Sequence, residues 1–178
     1  MRTERRSAWV MQALAEHEAP LLRYATTIVG PAKAPDVVQD TFLKLCAEPT
    51  EDVAGHLAAW LFTVCRNRAI ELARTERRLT PLENETTMEQ GGDGGPASAL
   101  ERKEALTRVG AALGALTERE REILWLKVDG GLRYKEIAEV MKLSVSNVGF
   151  ILHGAISKLR KELAHTEVSE QALLERTP

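Results

Sequence analysis

Cysteine and aromatic residues are scarce in this sequence. Cysteine occurs 2 times in 178 residues, and aromatic residues make up 4% of the chain. Cys46 and Cys65 form no CxxC pair, have no histidine pair nearby, and lie among apolar residues at helical spacing. We therefore interpret both as small buried hydrophobic residues in a reducing compartment, which argues against a disulfide framework or a zinc site.

Long apolar runs and an excess of positive charge are missing as well. The N-terminal stretch MRTERRSAWVMQ has no apolar segment long enough for a signal peptide, and no part of the chain approaches a membrane span. The net charge is −2, so nucleic-acid binding would have to be confined to a local surface. These absences predict a soluble, cytoplasmic protein without membrane insertion.

The sequence also lacks the motifs of an enzyme. It contains no glycine-rich phosphate loop, no metal-ligand spacing and no convincing pair of nucleophile and base. We therefore predict no catalytic residues, no metal and no cofactor.

What the chain does contain is helical periodicity, interrupted by one polar segment. Residues 80–100 hold four acids, four glycines, two prolines and no basic residue. Such a segment cannot bury enough apolar surface to offset its ordering entropy, so we predict a flexible acidic linker. The expected fold class is all-α, with two small helical domains at residues 8–79 and 101–163 and a short acidic tail at residues 164–178.

Helices are predicted on both sides of the linker. Before it they cover LLRYATTIV, ending at Gly30, then APDVVQDTFLKLCA, ending before Pro49, and then HLAAWLFTVCRNRAIELARTERR. After it they cover ASALERKEALTRVGAALGAL, TEREREILWLKV, YKEIAEVM and SVSNVGFILHGAISKLRKEL. Thr117 and Glu120 have the spacing of a capping box. A turn at residues 142–144 joins the last two helices into a helix-turn-helix.

The third helix has a basic stripe opposite its apolar face. At about 100° per residue the apolar arc contains Phe62, Cys65, Ala69 and Leu72. Residues 60–79 hold five arginines and two glutamates. The polar arc, with Trp60 at its edge, contains Thr63, Arg66, Asn67, Arg74, Arg77 and Arg78. Such a surface can hold phosphates and stack an unpaired base, although a merely solvated face is the alternative.

The second helix pairs acids with an apolar side chain on its outer face. Val38, Phe42 and Leu45 should point into the core. Asp36 and Asp40 point the other way, with Leu43 close beside them, which indicates either a protein-binding face or a solvated one.

The last helix is amphipathic but carries no lysine or arginine between Ser144 and Ser157. The expected buried arc contains Val148, Leu152, Ala155, Ile156, Leu159 and Leu163. The outward arc contains Ser146, Asn147, Phe150, His153, Ser157, Arg160 and Lys161, with Lys158 adding to the basic C-terminal end. Asn can pair with adenine, Ser can contact several bases, and Phe can contact a thymine methyl. Phosphate contacts are expected from Lys135, Ser146, Asn147 and the helix N-terminus.

Two blocks of the sequence together resemble bacterial sigma factors. APDVVQDTFLKL with HLAAWLFTVCRNRAIELARTERR resembles their second region, and the block from ALTEREREILWLKV to SKLRKEL resembles their fourth. The linker stands where the smallest, extracytoplasmic-function type lacks a third domain. The resemblance implies a dissociable subunit that binds core RNA polymerase, recognises promoter DNA and opens it, and that is commonly inhibited by an anti-sigma factor.

The resemblance also implies roles for particular residues. Asp36, Gln39, Asp40 and Leu43 would bind the clamp coiled coil of the largest polymerase subunit. The helix from Trp60 to Arg78, with the loop EPTEDVAGH before it, would bind the minus-ten element and trap a flipped base. The helix-turn-helix would bind the minus thirty-five element. Its implied DNA-binding residues are Tyr134, Lys135, Ser144, Ser146, Asn147, Phe150, His153, Ser157, Lys158, Arg160 and Lys161.

One departure and two alternatives accompany this resemblance. The family usually carries basic residues where this chain has Gly149, Ile151, Gly154 and Ile156, so the chain departs from the family's pattern of DNA contacts at those positions. The second block also resembles the output domain of response regulators. That class needs an upstream α/β receiver domain, whereas residues 1–79 show helical patterns alone. A helical interaction module with an incidental helix-turn-helix is a further alternative.

Overall fold

The computed structural model describes residues 2–79 and 109–174, and the regular secondary structure in these ranges is helical throughout. The α-helices are α1 (Arg2–Val29), α2 (Ala34–Ala47), α3 (Thr50–Val53), α4 (Leu57–Leu79), α5 (Glu118–Val128), α6 (Tyr134–Met141) and α7 (Val145–Leu174). A 3-10 turn covers Ala54–His56, and residues 109–114 are also helical. The all-α fold class is confirmed. The predicted linker, residues 80–100, lies outside the described residues.

The chain divides into two compact units. The described residues of the first unit are 2–79 and 125–145, and those of the second are 109–124 and 146–174. Taken one at a time, the helices of the described ranges do not have the length and apolar composition of a membrane span. Helix α6 and the first part of α7 reach that composition only when counted together across the turn between them.

Helices α1, α2 and α4 pack against one another and form the core of the first unit. Their apolar side chains meet at the centre, where Tyr24 of α1 and Phe62 of α4 form an edge-to-face pair with ring centroids 5.4 Å apart. Both rings are buried, as are Val38 and Leu45 of α2. The predicted core face of α2 is therefore confirmed.

The first helix is longer than the sequence pattern indicated. It begins at Arg2 and continues through Pro20, although a proline lacks the N–H of the regular hydrogen-bond ladder. Helix α1 ends where predicted, at Gly30, whose φ of 78° is a left-handed conformation that glycine adopts without a steric penalty. Its N–H donates to the carbonyl of Thr26 at 3.0 Å.

The segment predicted as a loop before α4 is largely helical. Pro49 precedes α3, and the 3-10 turn follows α3 directly. Val53 is buried, and it anchors this segment in the core. The loop prediction was therefore wrong at residues 50–56, because a four-residue helix is too short to show a periodic pattern.

The two cysteines differ in environment. Cys65 is buried, and burial raises the pKa of its thiol to about 12. Cys46 is exposed, so the prediction that both are buried was wrong for this residue. It directly follows the buried Leu45, and a step of about 100° per residue turns its side chain away from the core.

Residues 125–145 belong to the first unit because α6 packs against α4. Arg23 of α1 also donates to Asp129 at 2.8 Å. The ion pair with Asp129 raises the pKa of this guanidinium. These contacts hold the segment between α5 and α6 against the first three-helix core.

In the second unit a capping box begins α5, as the sequence predicted. The N–H of Thr117 donates to Glu120 at 2.9 Å, and the N–H of Glu120 donates to the Thr117 hydroxyl at 3.3 Å. Arg121 donates to the carbonyls of Leu113 and Leu116, which ties helical residues 109–114 to the start of α5.

The buried arc of α7 is confirmed over its first three turns and fails at its end. Val148, Leu152 and Ala155 are buried, Ile156 and Leu159 are half-buried, and Leu163 is 37% exposed. The prediction for Leu163 was wrong because α7 continues to Leu174, and the core contact of the helix fades before that point.

Candidate nucleic-acid and protein interfaces

The α4 polar stripe comprises Trp60, Thr63, Arg66, Asn67 and Arg74, which lie away from the buried Phe62 face. Asn67 and Arg74 are exposed, and the other three are half-buried. The Thr63 hydroxyl donates to the carbonyl of Ala59 at 2.7 Å, so this side chain follows the helix backbone. Arg77 and Arg78 have side chains outside the described residues.

The glutamates of α4 have cationic partners outside the stripe. Glu71 accepts from Arg68 at 3.2 Å, and Glu76 forms an ion pair with Lys33, which precedes α2. Because both carboxylates are paired with cations outside the stripe, they neutralise less of the positive charge of Arg66 and Arg74, which favours a net positive potential there.

The α2 outer face comprises Asp36, Gln39, Asp40 and Leu43. Asp36 and Gln39 are exposed, and Leu43 is 60% exposed, as the helical periodicity predicted. Asp40 is half-buried and accepts from Arg68 of α4 at 2.7 Å. The combination of an exposed leucine with oriented acids suits a protein contact that buries the leucine and leaves the acids at its rim.

Arg68 is a component of this surface that sequence reasoning missed. Its guanidinium lies between Asp40 and Glu71, and these two carboxylates raise its pKa, the hydrogen bond with Asp40 contributing most. It lies 28 residues from Asp40 along the chain, so no local pattern connects the two. Arg68 links the α2 outer face to α4.

The helix-turn-helix is formed by α6, a short turn and α7. At the start of α6 the N–H of Arg133 donates to Glu136 at 2.6 Å. After α6 Lys142 adopts a left-handed conformation with φ of 53°, and the N–H of Leu143 donates to the carbonyl of Ala138 at 2.9 Å. This backbone geometry ends α6 and allows α7 to begin at Val145.

The N-terminal half of α7 presents an uncharged outer face. Ser146, Asn147, Phe150 and His153 are exposed, and Phe150 reaches 80%. Ser157, predicted to face outward, is half-buried. The N-terminal N–H groups of a helix point along its axis and attract anions, so this end of α7 can approach a phosphate.

The basic end of α7 is partly engaged within its own unit. Lys158 donates to both carboxylate oxygens of Glu120, at 2.8 and 2.9 Å. This ion pair, together with the N–H of Thr117, lowers the pKa of Glu120. Arg160 and Lys161 are exposed, so the positive charge at this end is strongest beyond Lys158.

Tyr134 and Lys135, at the start of α6, are both exposed. The Lys127 ammonium lies 5.6 Å from the centroid of the Tyr134 ring, a cation–π arrangement. The Lys127 ammonium also donates a hydrogen bond to the carbonyl of Leu132. Lys127 is a second cation that the sequence pattern did not single out, and it lies beside the predicted DNA-binding residues of α6.

Comparison with protein families matches both parts of the chain. The description "Sigma-70 region 2" fits residues 14–79, and "Sigma-70, region 4" fits residues 106–159. The ECF RNA polymerase sigma factor SigL of Mycobacterium tuberculosis is 34% identical over 169 residues, covering 91% of this chain and 93% of that protein. The ECF RNA polymerase sigma factor SigM of Bacillus subtilis is 28% identical, covering 71% and 77%.

Two solved structures have a similar fold. CnrH, in complex with the cytosolic domain of CnrY, is 27% identical, with a TM-score of 0.55 and coverage of 88% of both chains. RpoE, in complex with the anti-sigma factor NepR from Bartonella quintana, has a TM-score of 0.65 and covers 86% of this chain and 96% of its own. At 24% identity the second likeness concerns the fold alone.

Proposed function

Because this chain belongs to the extracytoplasmic-function sigma factors of RNA polymerase, we propose that it joins core polymerase, recognises specific promoter DNA and drives promoter opening. The observation that carries this function is the 34% identity to a sigma factor across 91% of the chain. Both sigma regions match in the expected order. The response-regulator alternative is not favoured, because region 2 occupies the place that a receiver domain would need.

We propose that the two helical domains bind different partners and that the segment between them acts as a connection. Residues 8–79 bind polymerase and the minus-ten element, and residues 101–163 bind the upstream element. Residues 80–100 connect them as a linker, and we give no role to the tail at residues 164–178. Because it would act on polymerase and DNA, we propose that the protein functions in the cytoplasm and that it requires neither catalytic residues nor a cofactor.

The α2 outer face is the proposed polymerase contact. Leu43 supplies exposed apolar area, and Asp36, Gln39 and Asp40 supply polar contacts around it. The ion pair with Arg68 holds the Asp40 carboxylate in one position before binding, which lowers the entropy lost when the contact forms.

The α4 polar stripe is the proposed surface for the melted minus-ten strand. Trp60 offers an aromatic face on which a base can stack, and Arg66 and Arg74 offer charge for phosphates. Asn67 adds an exposed amide with both a donor and an acceptor. We assign Arg77 and Arg78 to the same surface from their sequence positions.

Helices α6 and α7 are the proposed reader of the upstream element. Tyr134, Lys135, Ser144 and the α7 N-terminus serve phosphate contacts, together with Arg160 and Lys161. Ser146, Asn147, Phe150, His153 and Ser157 face the bases. Lys158 can serve DNA only in competition with Glu120. Because the reading helix has so little free charge, we expect the isolated protein to bind duplex DNA poorly and to need polymerase for specificity.

We also propose an inhibitory partner of the anti-sigma class, as the sequence resemblance implies. CnrH, which has a related fold, is known in a complex with the cytosolic domain of another protein, CnrY. An inhibitor of this kind would cover surfaces that the sigma factor needs for polymerase or DNA.

The experiment that tests the function is transcription in vitro with purified bacterial core polymerase on genomic DNA fragments. The expected result is initiation at defined start sites that depends on the added protein. Tight, sequence-specific binding of duplex DNA by the isolated chain, without polymerase-dependent transcripts, would contradict the proposed function.

A further inference from the structure

Phe150 is the most exposed large apolar side chain among the described residues. Its exposed fraction is 80%, compared with 47% for Val145 on the same helix. It lies in the second turn of α7, where Val148 and Leu152 on the opposite face are buried. The helix is therefore well anchored, and the phenyl ring points away from the core.

On the face of α7 that carries Phe150, the residues one turn before and after it are short or polar. The positions one turn away on the helix surface are Ser146 and Asn147 before it and His153 and Gly154 after it. Gly154 faces open space, because a Cβ atom at this position would meet nothing within 4 Å. The ring therefore stands above a low surface that can approach a flat partner closely.

Charge is absent from this part of the helix. Residues 144–157 contain no lysine, arginine, aspartate or glutamate, and the next cation, Lys158, is paired with Glu120. Any discrimination by the first three turns of α7 must therefore use hydrogen bonds or apolar contact. The major groove presents one apolar feature that distinguishes base pairs, the C5-methyl group of thymine.

We propose that Phe150 determines specificity by contacting the methyl group of one thymine in the upstream promoter element. This inference rests on the proposed function, because it requires α7 to enter the major groove. The surroundings favour DNA over a protein partner as the occupant. A protein-docking face normally offers a contiguous apolar patch, whereas Phe150 is a single ring among hydroxyl, amide and imidazole groups that suit base edges.

The test removes the methyl group without changing the base pairing. A promoter that the wild-type protein uses with core polymerase is first selected from randomised fragments. Each upstream thymine is then replaced in turn by deoxyuridine, and initiation is measured. We expect about a fourfold loss at one position, because a methyl-sized apolar group contributes about 0.8 kcal/mol when it is removed from water.

The variant Phe150→Ala should be less active on the thymine promoter and insensitive to uracil at that position. Val145→Ala is the matched control, since it also shortens an exposed apolar side chain of α7, and it should keep the fourfold loss. Thermal melting should be unchanged in both variants, because neither side chain is buried.

Two results would overturn the inference. One is wild-type transcription that is indifferent to uracil at every upstream thymine. The other is a Phe150→Ala variant that keeps the full uracil effect. In either case Phe150 serves another surface, such as an inhibitor. If the wild-type protein gives no promoter-dependent transcript at all, the proposed function fails first and the inference fails with it.

Discussion

Replacing Gly130 by alanine tests the contact between residues 125–145 and helix α4. A Cβ atom at this position would lie 2.7 Å from the carbonyl oxygen of Leu126 and 3.1 Å from Cζ of Phe62. Neither neighbour can move easily. The Leu126 carbonyl accepts from the N–H of Leu132, and the Phe62 ring is fixed edge-on against Tyr24.

The expected cost follows from these two obstacles. Inserting one methyl group into a well-packed site costs about 1–3 kcal/mol, because the backbone or the ring must shift. We expect Gly130→Ala to lower the free energy of unfolding by this amount. In urea unfolding followed by circular dichroism, the midpoint should fall while the slope stays unchanged.

Two other glycines, Gly131 and Gly55, supply the controls. Gly131 faces open space but has a φ of 65°, so Gly131→Ala should cost about 1–2 kcal/mol through backbone strain alone. Gly55 faces open space without that strain, so Gly55→Ala should be neutral or slightly stabilising. Adding Phe62→Leu should relieve part of the Gly130→Ala cost and leave the Gly131→Ala cost unchanged.

A Gly130→Ala protein as stable as the wild type would refute the reasoning. Such a result, together with a measurable loss in Gly131→Ala, would mean that Phe62 and the Leu126 carbonyl do not confine this position in solution.

Three further predictions concern the interfaces and the ion pair of the second unit. Leu43→Arg should weaken binding to core polymerase in a titration. Met11→Arg is the control and should bind normally, because Met11 lies on α1 and is about as exposed as Leu43. Equal affinities of the two variants would show that the α2 outer face is not part of the interface. Arg74→Ala should reduce the permanganate reactivity of melted promoter thymines more than initial promoter binding, and normal melting would mark the α4 polar stripe as a solvated face. Because Lys158 lowers the pKa of Glu120, the ion pair stabilises the protein above about pH 4.3 and this stabilisation is lost as the pH falls further. Glu120→Gln should therefore reduce the dependence of the free energy of unfolding on acidic pH, measured by urea unfolding. An unchanged pH profile would contradict the ion pair.

Much of the helical framework follows from the sequence because it depends on local interactions. The predicted stretch of α2, which ended before Pro49, agrees with the helix Ala34–Ala47 in the structure. The capping box at Thr117 depends on a spacing of three residues. The outward positions of Leu43 and Phe150 follow from a period of 3.6 residues, which any amphipathic helix obeys.

Tertiary structure decided what local spacing does not encode. Helix α1 continues through Pro20. From the sequence alone this proline indicates a helix boundary, because it cannot donate the backbone hydrogen bond. The ion pair of Arg68 with Asp40 joins residues 28 positions apart, and that of Lys158 with Glu120 joins residues 38 positions apart. The periodicity of each helix predicts which side chains face outward. Only the packing of one helix on another determines which of those outward charges meet a partner and which stay available for DNA or polymerase.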